Sequence, residues 1–135
     1  MTLSPAGSTF LRKEGFRELS DFEAEQIPFQ LGCVVARRAF IDANPDTVRA
    51  FVQGYAAGMR RYRSDRALGL RILGEYTGIQ DPEILEYTYD VFTRNFDDPP
   101  APSPAGFQAV LDALALTDAR AAGRRPEEFI DSRFL

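Results

Sequence analysis

Apolar and polar positions along this chain of 135 residues fall into two patterns. From Pro45 to about Arg63, Val48, Phe51, Val52, Tyr55, Met59 and Tyr62 recur at i, i+3, i+4, i+7, i+11 and i+14. That spacing lays one apolar face along a helix. Ahead of it, Leu31-Gly32-Cys33-Val34-Val35-Ala36 is apolar at every position. Such a run predicts a strand buried on both faces, in the manner of a central parallel strand covered by helices. The extended element is expected over about 27–41, with Pro28 near its start, where strands tolerate proline.

Three later stretches repeat the helical period. They carry Leu70, Leu73 and Tyr76, then Ile84, Leu85, Thr88, Val91 and Phe92, then Phe107, Val110, Leu111 and Leu114. A recurring device marks the starts: Asn44-Pro45-Asp46, Asp81-Pro82-Glu83 and Ser103-Pro104-Ala105 each set a capping side chain before a proline at the first helical position. Ser64-Asp65 caps another start without proline. Ser4-Pro5 opens a further helix that Gly15 stops, Phe16–Leu19 reads as a second short strand, and 125–135 as a last short turn. The proline-rich 97–104 is a stiff connector. Helix starts roughly 20 residues apart invite a helical-repeat reading, but no consensus recurs between the units. Two strands make a marginal sheet in water, so a doubly buried strand with one short neighbour implies pairing with polypeptide outside this sequence.

Composition narrows the chemistry. The chain is 44% hydrophobic and 27% charged, ordinary for one globular domain. Its single cysteine, Cys33, forms no internal disulfide, and histidine is absent, which removes the commonest general base and transition-metal ligand. Net charge is −4, a poor basis for nucleic-acid binding. The charge is uneven: residues 1–67 carry 10 basic and 8 acidic groups, residues 68–135 carry 6 and 12. The first residues lack the pattern of a signal peptide, and no uncharged apolar run nears the roughly 20 residues of a membrane span.

Taken in order, "LSPAGSTFLRKEGFRELSDF", "IPFQLGCVVARRAFIDANPDTVRAFVQGYAAGMRRYRSDRALGLRILGEYTGIQDPEILEYTYDVF", "PSPAGFQAVLDAL" and "RPEEFIDSRFL" closely resemble the C-terminal part of the nitrate/sulfonate/taurine-type substrate-binding proteins of bacterial ABC importers. That group includes the thiamine-pyrimidine-precursor binders. The resemblance covers nearly all of the chain and about the last two-fifths of a family member. It implies an α/β class, a partial type II periplasmic-binding fold, mostly helical after residue 44. Residues 1–26 would end the second lobe, 27–41 would form a strand crossing the hinge, and 42–135 would pack as helices on the first lobe. The strand's partners would then lie in an N-terminal half. Function follows as the solute-binding component of an importer for a small anionic or heterocyclic solute, periplasmic, with the membrane permease as partner. Neither cofactor nor catalysis is implied. The alternative is a stand-alone helical protein-interaction module without a transport role.

Each candidate site residue has two readings. Ser4 and Ser8 could offer hydroxyls to an anion at a helix start, or cap the helix. Phe29 and Gln30 could pack on and donate to a ligand in a cleft, or be a core aromatic beside a surface amide. Arg37-Arg38 could clamp a sulfonate or carboxylate, or end a strand in solvent. Arg60, Arg61 and Arg63 complement a helix dipole, and Glu83, Glu86 and Asp90 read as a solvated helix face. No nucleophile–base pair, phosphate loop or metal spacing occurs. Isolated, the chain is expected to self-associate through exposed strand edges.

Overall fold

Side-chain caps, most of them followed by proline, start four of the helices. The computed structural model describes residues 4–21, 24–30 and 32–135. In it α1 spans Pro5–Lys13, α2 Arg38–Ala43, α3 Pro45–Ser64, α4 Arg66–Thr77, α5 Pro82–Arg94 and α6 Pro104–Ala115. Two 3-10 turns follow, Ala119–Ala121 and Pro126–Glu128. Ser4, Asp65, Asp81 and Ser103 accept hydrogen bonds from backbone N–H groups of the first turns of α1, α4, α5 and α6. Those groups have no partner inside the helix, so each cap contributes about 1 kcal/mol. Gly15 at φ 84° and Gly78 at φ 72° take the left-handed conformation just past α1 and α4.

The α/β class expected from the sequence is overturned: the described residues form helices and connecting segments, with no strand and no sheet. Residues 27–30 and 32–37 carry no regular structure, 38–43 are α2, and 16–20 are irregular as well. Leu31, part of the run that suggested the strand, lies outside the described residues. A strand is held by a ladder of bonds to a neighbour, and no described segment pairs with 32–37. Val34 and Val35 stay 59% and 83% exposed. A short apolar run does not by itself separate strand from helix or coil. From Arg38 onward arginine and alanine favour helix, until Asn44-Pro45 ends α2.

The chain divides into two compact units. The first combines the described part of 1–21 with Ala57–Asp98. Here α5 is the central helix, with α1 and α4 both packed on it. Thr9, Gly69, Leu73, Ile84, Thr88, Tyr89 and Val91 are buried in this unit. Tyr89 reaches the end of α3, where its hydroxyl lies 3.0 Å from the Tyr62 carbonyl oxygen and 3.2 Å from that of Arg63. Its ring sits against Gly69 of α4 and within 5.1 Å of the Tyr62 ring, centre to centre. The Arg66 guanidinium covers it at 5.0 Å. At the other end, Lys13 Nζ pairs with Asp81 at 2.7 Å and Glu83 at 2.8 Å, tying the last turn of α1 to the first of α5.

The second unit takes the described part of 22–56 with Pro99–Leu135. Here α6 packs on both 3-10 turns, with Leu111, Ala121 and Pro126 buried and the Phe107 and Phe129 rings stacked at 5.6 Å. Asp131 pairs with Arg133 at 2.6 Å, and Arg133 also reaches Asp42 at 3.4 Å. Hydrogen bonding to Arg133 lowers the Asp131 carboxyl from 3.8 to about 2.

Replacing Gly69 by Ala would drive a Cβ into the Tyr89 ring and to 3.0 Å from the Tyr62 carbonyl oxygen. A loss of about 1–3 kcal/mol is expected, read as a lower urea midpoint by circular dichroism. Because the folded-state pKa of Asp131 is depressed, its contribution is complete above the ordinary carboxylate range. It falls away as pH drops through about 2. Asp131→Asn should therefore flatten the acid limb of the melting temperature below pH 4, where the native chain declines; equal acid limbs would refute the assignment.

Candidate functional site

The four residues expected to meet a ligand divide between the two units. Ser4 and Ser8 belong to the first. Ser4 is the N-cap of α1: its Oγ accepts from the Gly7 N–H at 3.3 Å and its carbonyl from the Ser8 N–H at 2.9 Å. The Ser8 hydroxyl donates to Glu18 Oε2 at 2.8 Å. This bond fastens the irregular segment after Gly15 back onto α1. An anion at this helix start would meet the Glu18 carboxylate beside Ser8.

Phe29 and Gln30 lie in the second unit, and both sit against the first turn of α6. Gln30 donates its backbone N–H to the Gly106 carbonyl at 3.2 Å. Its side-chain Oε1 accepts from the Ser103 N–H at 2.8 Å, and its Nε2 donates to the Gly32 carbonyl at 2.6 Å. Ser103 in turn caps α6 through the Gly106 N–H at 3.1 Å. The contact is close because Gly106 has no side chain. A Cβ there would lie 2.9 Å from the Gln30 nitrogen and 3.1 Å from the Phe29 carbonyl carbon. The Phe29 ring remains half exposed, at 56%. Thus the Gln30 amide already serves as a clamp on a helix start.

Several of the remaining charged residues settle into pairs. Arg38 Nη2 donates to the Glu128 carbonyl at 3.3 Å, whereas Arg37 is exposed and its side chain makes no hydrogen bond or ion pair among the described residues. Glu86 and Asp90 both face Arg66, and Glu83 faces Lys13. Hydrogen bonding to Arg66 lowers the Asp90 carboxyl, and hydrogen bonding to Lys13 lowers that of Asp81. Acidic groups held ionised by adjacent cations are poor proton acceptors at neutral pH. No cluster of three or more metal-binding side chains occurs among the described residues. Nor is any helix there long and apolar enough to cross a membrane.

Apolar surface is what the structure offers in place of a polar site. In the second unit Val34, Val35 and Phe40 are exposed along 32–40, and Phe51 and Tyr55 stack on the outer face of α3 at 6.3 Å. In the first, Phe10, Phe16, Leu19 and Tyr76 are exposed. Among these, Phe51 and Tyr55 belong to the apolar helical face evident in the sequence, which their own unit leaves in solvent. Sequence reasoning missed the Gln30–Ser103–Gly106 clamp. Its one local signal was a glycine in the first turn of a capped helix, where a good helix former would be the ordinary choice.

Set against protein-family models, curated proteins and solved structures, the chain matches none.

Gln30→Ala removes the acceptor for the Ser103 N–H. A stability loss of about 0.5–1.5 kcal/mol is expected without any ligand, seen as a lower melting temperature. An unchanged melting temperature would show that the clamp carries no weight and return Gln30 to the ligand reading.

Proposed function

We propose that this chain acts as the C-terminal part of the solute-binding component of a bacterial ABC importer for a small anionic or heterocyclic solute. The observation that carries the reading is that 27–55, which lies within the resembling sequence, holds several exposed apolar side chains. Val34, Val35, Phe40, Phe51 and Tyr55 all fall within it. Covering a valine, leucine or phenylalanine contributes about 1.5–3 kcal/mol, so a second polypeptide surface over this stretch has a substantial driving force. In the importer reading that surface is the rest of the binding protein. Solute capture would close the assembled protein, and the permease would recognise the closed form. Ser4, Ser8, Phe29 and Gln30 are its nominated contacts, with Ser8 and Gln30 exchanging their internal bonds for bonds to solute.

A second reading is favoured by a separate observation. Each unit is helical and has buried residues of its own, which suits a helical protein-interaction module with no transport role. Its partner would cover the same apolar residues.

Size and compartment of the native product distinguish the two. An antibody against α5 and α6 should reveal, in periplasmic fractions of the source cells, a band well above 15.1 kDa. A band at 15.1 kDa confined to the cytoplasm would overturn the importer reading and leave the interaction module.

A further inference from the structure

Arginine residues are spread along the whole chain, yet one stands apart. Residues 32–37 are exposed, irregular and apolar up to Ala36. Arg37 is their last member, with φ −69° and ψ 137°, an extended backbone. Its guanidinium makes no hydrogen bond or ion pair with a described residue, whereas Arg38 is tied to the Glu128 carbonyl. Peptidases bind their substrates as extended strands of several residues, with the specificity side chain free to enter a pocket. Exposed segments without backbone pairing are therefore where proteolysis concentrates.

We propose that the Arg37–Arg38 peptide bond is this chain's site of endoproteolytic cleavage by arginine-specific serine peptidases. Residues 34–37, exposed and without regular structure, lie on the acyl side, with Arg37 itself extended. On the other side is α2, which must open, because the Arg37 carbonyl accepts from the Phe40 and Ile41 N–H groups at 2.9 and 3.1 Å. Opening is cheap there. The helix has six residues, no side-chain cap and no buried residue, too short to hold itself in water. Hydrolysis adds one water across the bond, giving a carboxylate on Arg37 and an amine on Arg38.

The competing arginines are less suited. Arg12, Arg49, Arg60, Arg61, Arg63, Arg66, Arg71 and Arg94 lie in helices. Arg17 is irregular and exposed but precedes Glu18, which is held on Ser8, and an acidic neighbour opposes entry to a pocket that selects cations. Arg124 is paired with Glu128 at 3.0 Å and lies over the Phe129 ring, and the Arg125 N–H donates to Glu128 Oε1.

The test is limiting digestion of the full chain with trypsin, followed by mass spectrometry at early times. The first products should be 1–37 and 38–135. Arg37→Gln should slow loss of intact chain by about tenfold or more, while Arg38→Gln leaves the first cut after Arg37. A first cut at Arg17, at Arg124 or inside a helix would overturn the proposal, and so would an unchanged digestion rate in Arg37→Gln. The Arg37 side chain has no hydrogen bond or ion pair among the described residues to lose, so a folding defect in that variant is not expected, and its circular dichroism spectrum checks this.

Discussion

Every short helix leaves several backbone N–H and C=O groups without partners at its ends, and this protein is organised around satisfying them. Side chains do so at the starts, through Ser4, Asp65, Asp81 and Ser103. Longer-range contacts do so elsewhere. Tyr89 reaches the last carbonyls of α3, Arg63 reaches the Phe96 carbonyl after α5, and Gln30 holds the N–H of the residue that caps α6. Two glycines make two of these contacts close enough. Gly69 lets the Tyr89 ring lie against α4, and Gly106 lets the 29–30 backbone lie against α6. In each case the absent Cβ makes room for the neighbouring segment.

The same economy explains the surface. Helices of 6 to 20 residues, arranged in two units, bury few large side chains, and the apolar residues of 32–40 and of the outer face of α3 remain in solvent. Apolar side chains in such numbers are a recognised mark of contact with another molecule. The polar groups tell a complementary story. The carboxylates of α5 are neutralised by Lys13 and Arg66, and the Ser8 and Gln30 side chains are bonded within their own units.

The unpaired segment 32–37 links these themes. Its apolar side chains are exposed, it is not paired as a strand, and the side chain of its final residue, Arg37, makes no hydrogen bond or ion pair among the described residues. A partner covering Val34 and Val35 would also screen the Arg37–Arg38 bond, so occupancy of the surface and resistance to cleavage should rise together.

Most of the helices were legible in the sequence because their signals are local. A cap followed by proline fixes where a chain can enter a helix, and Gly15 and Gly78 fix where α1 and α4 stop. The 3.6-residue period of Val48 to Tyr62 needs nothing beyond the chain itself. The strand at 27–41 and the candidate site were not legible, because both depend on what lies opposite. An all-apolar run specifies burial only if a neighbour exists, and tertiary structure left this one unpaired and ended it in α2. Likewise, nothing in the order of residues places Gln30 beside Ser103 and Gly106, more than seventy positions away. That contact forms because a helix start has free N–H groups and a glycine left room for a second backbone.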